Sequence, residues 1–323
     1  MSERLRPVDS SAPPALVAEM AGYGGDDAAP GLHRFLDALR SRFGDALSAV
    51  LLYGSCLRQM DARDGVVDLY AIVTGYRDAY PQRRLRALNA WLPPNVFYLE
   101  LGGPGAVLRA KYAVLSLGAF ETGIRSWFHP YLWARFCQPI RLLYARDAGT
   151  EQRLQAALAL AVVRMLRESA STMEPQEVDA EALWIQAFGL SYGAELRPEP
   201  QRRAVALVEQ DRDLYRRLTA LACPALRDQI ELLADGRYRV LDRPRLRRRL
   251  RRRWWARRWQ GRILSILRLA KAALTFQNSI DYAAWKIERH TGVRIEVTPR
   301  LRRHPLLYGW AVLWQLLRTG VLR

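Results

Sequence analysis

The chain has 323 residues, half of them hydrophobic, and a formal net charge of +18, so it can bury a sizeable core in about two domains. Its three cysteines, Cys56, Cys137 and Cys223, form no CxxC pair, which argues against a disulfide framework or a zinc site. No stretch reaches the roughly 20 apolar residues of a membrane-spanning helix. Residues 1–30 also lack the apolar core of a signal peptide. We therefore expect a cytoplasmic protein with a water-soluble fold.

Residues 1–30 mix acids, prolines and small residues, and this composition predicts a flexible leader. From Gly31 to Leu47 apolar side chains recur at helical spacing, and Gly44 is placed to end that helix before the first strand. Four short aliphatic and aromatic runs then predict strands, with a helix over residues 82–91 between the second and the third. These runs are centred on Tyr53, Asp68, Tyr98 and Tyr112. The pattern predicts an α/β domain over residues 31–147.

A mainly helical second domain is predicted over residues 148–240. Apolar residues fall on one side of a long helix over residues 151–170. A second helix is expected from about residue 179, and a third over residues 202–221. This segment therefore differs in class from the α/β domain that precedes it.

A basic helical region is predicted over residues 241–323, with Pro244 near the start of its first helix. Ten arginines and no acid lie between Arg243 and Arg258. Tryptophans among them suit a membrane interface, where Trp lies at headgroup depth and Arg reaches phosphates. A second, apolar helix is expected over residues 305–323, either in the lipid surface or on the protein core. The candidate lipid-contacting residues are Arg248, Arg252, Trp254, Trp255, Lys271, Trp310 and Trp314.

Three interpretations of this region stay open. An anionic membrane would gain about 1 kcal/mol from each arginine near its surface. Nucleic acid is the second partner, since arginine neutralises phosphates and tryptophan stacks on bases. A solvated basic helix would need no partner. We favour the membrane over nucleic acid, and we expect the protein to be peripheral on the inner face of the cell membrane.

The candidate active site begins where an apolar run ends in Gly54 and Ser55. A glycine lets the backbone approach a triphosphate closely, and the serine offers a hydroxyl and an amide to its oxygens. In the next strand Asp68 and Tyr70 share a face, and carboxylate oxygens suit Mg²⁺. One carboxylate is a poor holder for a pair of metal ions. We therefore expect Glu100, in the following strand, to lie beside Asp68.

This arrangement resembles the nucleotidyltransferase site of the DNA polymerase beta type, in which two acids stand two residues apart, although Tyr70 takes the second place here. With that departure, the chain resembles the mitochondrial-type (translocator maintenance) phosphatidate cytidylyltransferases over about residues 45–220. The matching positions are Tyr53, Gly54, Ser55, Arg58, Gln59, Asp68, Lys111, Tyr112, Trp127, Tyr131, Arg135, Pro139, Gly189, Leu190, Ser191, Tyr192, Glu195 and Arg197, with Ser265 and Lys271 further on. Cys56, Ala113 and Gln138 depart from the family's pattern.

The resemblance implies a nucleotidyltransferase domain followed by a winged-helix-like domain. It also implies synthesis of CDP-diacylglycerol from CTP and phosphatidic acid, with Mg²⁺ as the cofactor. Asp68 and Glu100 would hold the metal, and Lys111 would be catalytic. Nucleotide binding would involve Tyr53, Gly54, Ser55, Arg58, Tyr112, Tyr192, Glu195 and Arg197.

Two alternatives to this function remain. The same fold could serve another acceptor, such as a small molecule, a protein or an RNA end. A non-catalytic, nucleotidyltransferase-like protein that binds nucleic acid is the other.

Overall fold

The computed structural model describes residues 12–23, 31–54, 57, 66–102, 107–195, 199–275 and 298. Five strands form the main sheet, namely β1 (Leu47–Tyr53), β2 (Val66–Val73), β3 (Asn95–Leu101), β4 (Leu108–Ser116) and β5 (Ile140–Ala145). The helices described between residues 12 and 139 are α1 (Pro14–Ala21), α2 (Leu32–Phe43), α3 (Tyr76–Ala79), α4 (Arg83–Trp91), α5 (Leu117–Ser126) and α6 (Trp133–Phe136). Five predicted site residues lie outside the described residues: Ser55, Arg58, Arg197, Trp310 and Trp314.

The remaining helices are α7 (Ala148–Ser169), α8 (Ala180–Gly193), α9 (Pro200–Gln210), α10 (Arg212–Ala222) and α11 (Pro244–Thr275). Among them, three short strands form a second sheet in the order β6-β8-β7, where β6 is Glu177–Val178, β7 is Ile230–Leu232 and β8 is Tyr238–Val240. The helix predicted over residues 202–221 is two helices, since α9 ends at Gln210 and α10 begins at Arg212. Apart from this division and the three short strands, residues 148–240 are mainly helical, as predicted.

The main sheet is mixed, with the strand order β3-β4-β2-β1-β5. β1 runs antiparallel to β2 and β5, β4 runs antiparallel to β3, and β2 pairs with β4 in parallel. The predicted mixed α/β class is confirmed. The parallel pair in the centre of the sheet brings the middle of β4 alongside β2, and this contact forms the candidate site.

Alternate residues of the central strands enter two separate cores. Tyr70 and Ile72 of β2 pack with helices α5 to α8 on one face. Leu69 of β2 packs on the other face, against Phe35 and Leu39 of α2. The period of two along a strand explains this division. Asp68 belongs to the Tyr70 face, as predicted.

The prediction of a flexible leader is wrong for residues 12–23. Leu16 and Met20 of α1 are buried in the main core, and α1 packs against α7 and α10. The Tyr23 carbonyl accepts a hydrogen bond from the Leu142 amide at 2.9 Å. Leu16 and Met20 are four positions apart, so they lie on the same side of this short helix and turn it toward the core.

Helix α11 is one continuous helix of 32 residues, and its inner face is core. Leu250 and Trp254 are buried, and the Trp254 indole donates to the Glu168 carbonyl at 2.7 Å. Arg257 is fully buried and pairs with the Glu168 carboxylate at 2.8 Å. Within the described ranges, none of the helices combines the length and apolar character needed to cross a membrane.

Candidate active site

The carboxyl end of β1 meets the beginning of β2 at the candidate site. Tyr53 is paired with Asp68 across the two strands, and Gly54 comes next with φ +86°. A Cβ added to Gly54 would lie 3.2 Å from the Asp68 Oδ2 atom. Glycine therefore suits this position for two reasons. It tolerates the left-handed backbone, and it leaves space beside the carboxylate.

Asp68 and Lys111 form an ion pair across the parallel strands β2 and β4. They are register partners, and the Lys111 Nζ atom lies 3.4 Å from the Asp68 Oδ1 atom. The side chains are 27% and 31% exposed, so solvent or a ligand can reach both charges. The sheet thus places one carboxylate and one ammonium group beside a glycine at a strand end.

The expected neighbourhood of Glu100 and Asp68 is wrong. β4 lies between β2 and β3, so the two acids stand on strands that do not touch. Glu100 is paired with Arg109, whose Nε atom is 3.4 Å away, and it accepts a hydrogen bond from the Tyr98 hydroxyl at 2.8 Å. The error came from the strand order. β3 precedes β4 in the sequence, but it is β4 that pairs with β2 in the sheet.

Tyr112 does not lie on the Asp68 face. It is the register partner of Leu69 and is buried in the core on the other face of the sheet. Its ring stacks on Phe97 with centroids 5.4 Å apart and meets Phe43 edge-on at 6.2 Å. The alternation that brings Lys111 to Asp68 turns Tyr112 away.

Next to Asp68 lies a network of tyrosines around Arg135. The Arg135 Nη1 atom donates to the Tyr53 hydroxyl at 3.0 Å and to the Tyr70 hydroxyl at 3.4 Å. Tyr70 donates in turn to the Tyr131 hydroxyl at 3.3 Å. Burial raises the pKa of both Tyr53 and Tyr70, so these phenols stay neutral. Two residues after Asp68, Tyr70 thus presents a neutral hydroxyl that an arginine holds.

The network continues to α11 through Arg268, whose guanidinium lies 4.0 Å from the centroid of the Tyr131 ring. The charge of Glu195 acts on Arg135, Arg268 and His129. Burial, followed by the charge of Arg268, lowers the pKa of His129 to about 4. Sequence reasoning selected Glu195 but neither Arg135 nor Arg268 as a site residue. Arg135 could have been selected from the sequence because it is one of the positions that carry the resemblance, whereas nothing in the sequence singled out Arg268.

Tyr192 is a core residue of α8. It is buried and lies parallel to the Phe188 ring, with the centroids 6.1 Å apart. Its helix ends at Gly193, and the Glu195 amide donates to the Tyr192 carbonyl at 3.1 Å. Tyr192 therefore supports the fold, and it is Glu195, three residues later, that acts on the arginine and tyrosine network.

Two residues assigned to the lipid surface are instead inside the protein. Trp254 is buried against Trp133, with ring centroids 5.7 Å apart. Lys271 is buried and donates to the carbonyls of Leu92 and Pro94, the second at 2.6 Å. Burial, followed by the charge of Arg268, lowers the pKa of Lys271 to about 8.

Arg248, Arg252 and Trp255 do face solvent. Trp255 and Trp259 are 63% and 52% exposed and meet edge-on with centroids 6.2 Å apart. This part of α11 is exposed, and its contact with lipid stays a prediction.

Asp68 is the side chain at the site that fits a magnesium ion. Across the part of the chain that the structure describes, no group of three or more His, Cys, Asp and Glu side chains converges to hold a metal. Mg²⁺ in nucleotide sites is bound through one or two carboxylates, with substrate phosphates and water completing its six ligands. A single accessible carboxylate beside a glycine therefore fits an ion that arrives with a triphosphate.

The fold and site define a mixed α/β protein with one carboxylate and one lysine at a glycine-terminated strand. No protein-family model matches the chain. The chain is similar to the mitochondrial phosphatidate cytidylyltransferase of Xenopus laevis, with 27% identity over 144 residues. That similarity covers 41% of this chain and 41% of the relative, so the chain spans about two fifths of that protein's length.

Proposed function

We propose that the protein is a CTP:phosphatidate cytidylyltransferase. A phosphate oxygen of phosphatidic acid would form a bond to the α-phosphorus of CTP, and the bond from that phosphorus to the β-phosphate oxygen would break. The products are CDP-diacylglycerol and pyrophosphate. The similarity to a phosphatidate cytidylyltransferase supports this choice of substrates. We further propose that residues 31–147 form a nucleotidyltransferase domain and that the helices and three-stranded sheet after it form a winged-helix-like domain.

The juxtaposition of Gly54, Asp68 and Lys111 carries the proposal. Phosphoryl transfer depends mainly on positioning and charge neutralisation, so a protein needs few chemical groups for it. Gly54 leaves its backbone open to a triphosphate at the end of β1. Lys111 is already held by Asp68 at 3.4 Å and is placed to turn to a substrate phosphate. When the nucleotide binds, the Lys111 charge would then be neutralised by a phosphate instead of by Asp68.

In this proposal Asp68 holds Mg²⁺. When bound, the ion supplies positive charge that offsets the charge of the phosphates. Arg135 contributes a second positive charge, which Tyr53 and Tyr70 hold in place through the hydrogen bonds described above. Glu195 positions the arginines of this network by its charge.

We also propose that α11 brings the enzyme to its lipid substrate. Phosphatidic acid stays in the bilayer, so an enzyme that uses it must work at the membrane surface. Trp255 and Trp259 are exposed large apolar groups next to exposed arginines, a composition that suits the headgroup layer.

The test is Mg²⁺-dependent release of pyrophosphate from each of the four ribonucleoside triphosphates, with and without phosphatidic acid in mixed micelles. We expect release from CTP that requires the lipid, and a loss of at least about a hundredfold in D68N. E100Q is the matched control, because its carboxylate lies on a strand that does not contact β2. Near-normal turnover in D68N would refute the assignment of Asp68. Release without the lipid would point to another acceptor.

A further inference from the structure

A cleft of about 490 Å³ lies on α11, and none of the residues assigned to catalysis lines it. It is lined by five arginines and one aromatic ring, namely Arg245, Arg248, Arg249, Arg252, Arg253 and Phe128. We call it the arginine cleft. Arg245, Arg248, Arg249 and Arg252 stand at positions i, i+3, i+4 and i+7, so they project from one side of the helix.

Most of the positive charge of the arginine cleft has no acidic partner. Arg253 is paired with Glu168 at 3.1 Å. Among the residues that the structure describes, no carboxylate lies within ion-pair distance of the other four arginines. Like charges in a concave surface repel one another and concentrate anions there. An anion with more than one charge would relieve this repulsion.

The shape and chemistry of the cleft favour a phosphate group. The planar guanidinium fork binds phosphate oxygens in pairs, which a point charge such as lysine cannot do. A volume of this size accommodates a small ligand or a headgroup. Phe128 is 37% exposed, and the Arg253 guanidinium lies 5.6 Å from its ring centroid. The ring therefore offers an apolar contact beside the charged groups.

The surface that continues from the cleft distinguishes a lipid from a nucleic acid. Farther along the exposed side of α11 come Trp255 and Trp259, followed by Ile263 and Ile266, which are 58% and 62% exposed. Tryptophan can stack on bases, but two exposed isoleucines about one helical turn apart have no matching group on a nucleic acid. A bilayer supplies both partners, since its phosphates lie above its apolar layer.

We propose that the arginine cleft binds the phosphate headgroup of an anionic phospholipid while Trp255, Trp259 and Ile263 enter the headgroup layer. The inference rests on the proposed function, which requires the enzyme to reach a lipid substrate. It goes further by giving α11 a defined headgroup site instead of diffuse attraction to a charged surface. It is also a site separate from Asp68, so the membrane lipid held there need not be the one that reacts.

The test measures sedimentation of the full-length protein with vesicles in the absence of CTP. Vesicles of phosphatidylcholine alone are compared with vesicles that contain phosphatidic acid or phosphatidylglycerol. We expect binding only to the anionic vesicles, and a loss of roughly thirtyfold in R249Q/R252Q, since each arginine contributes about 1 kcal/mol, or about fivefold. R202Q/R203Q removes the same charge from the exposed part of α9 and should change binding less than about threefold. A second pair, R245Q/R248Q, repeats the test if the first unfolds.

Three results would overturn the proposal. Equal losses in R249Q/R252Q and R202Q/R203Q would mean diffuse attraction. Calorimetric binding of inorganic phosphate or glycerol 3-phosphate, lost in R249Q/R252Q while vesicle binding persists, would assign the cleft to a soluble phosphate. Tighter binding of single-stranded RNA than of anionic vesicles, through the same arginines, would make nucleic acid the partner. Because no nucleotide is present, vesicle binding can succeed when CTP turnover fails, and the two proposals can fail separately.

Discussion

Comparing alanine substitutions at Gly54 and Gly236 separates the effect of backbone strain from the effect of crowding the Asp68 carboxylate. Gly54 has φ +86°, where an L-residue costs about 1–2 kcal/mol. Gly236, in the turn between β7 and β8, has nearly the same φ, +82°, but a Cβ there would meet no atom within 4 Å. At Gly54 the new Cβ would lie 3.2 Å from the Asp68 Oδ2 atom. G54A and G236A therefore carry similar backbone strain, and G54A alone crowds the carboxylate.

We expect both variants to lose about 1–2 kcal/mol of unfolding free energy, measured by urea denaturation. Only G54A should lose activity, by about tenfold to a hundredfold in kcat/KM for CTP-dependent pyrophosphate release, since small misplacements of a reacting group have effects of this size. The Asp68 carboxylate has to move by only a few tenths of an ångström to make room for the Cβ atom, so we expect a loss of activity nearer tenfold than a hundredfold. If both variants kept full activity, or lost it equally, Gly54 would be a turn glycine and the reasoning about Asp68 would be refuted.

Three further predictions concern the support of the site. G261A should destabilise the fold by about 1–3 kcal/mol or more, because its Cβ would meet the Ala194 carbonyl oxygen, whereas G118A, whose Cβ would meet nothing within 4 Å, should be neutral or stabilising in thermal unfolding. E168Q should cost about 3–5 kcal/mol in urea because it leaves buried Arg257 unpaired, while E174Q removes exposed ion pairs worth about 0–1 kcal/mol; equal costs would contradict this. The pKa of His129 falls to about 4 in the folded protein, so the unfolded chain binds more protons between pH 6.5 and 4 and stability should fall as the pH drops through that window, by up to about 3 kcal/mol. H129Q should have a shallower loss over the same range in pH-dependent unfolding, and identical curves would show that the imidazole is not the cause.

The local features of the α/β half were predictable from sequence. The alternation of Asp68, Tyr70 and Ile72 with Leu69 results from the geometry of a strand, and both cores confirm it. Strand order was not predictable, because nothing in the residues of β3 and β4 says which one pairs with β2. That choice decided the error over Glu100, because it brings Lys111 to Asp68 and leaves Glu100 one strand too far away.

The basic helix was harder to predict for a different reason. Arginine stands on nearly every side of α11, so charge does not reveal which face is buried. Trp254 and Trp255 are neighbours in sequence, yet one is core and the other exposed. Arg257 looks like the other arginines around it in the sequence, yet it is fully buried against Glu168 of α7. Pairing between distant elements decides such positions, and a single sequence does not contain that information in readable form.

The pairing of Glu168 with α11 has a consequence for how the chain can be made and divided. Its carboxylate and carbonyl receive their partners from residues 85, 86 and 89 positions later in the sequence. While the protein is being synthesised, the end of α7 must therefore wait, with its acid in water, until α11 has left the ribosome. A chain ended at residue 240 would keep that acid unpaired for good, and it would leave the Trp133 ring without its Trp254 neighbour. Removing the arginine-rich helix to improve solubility would thus take away part of the protein interior along with the surface charge.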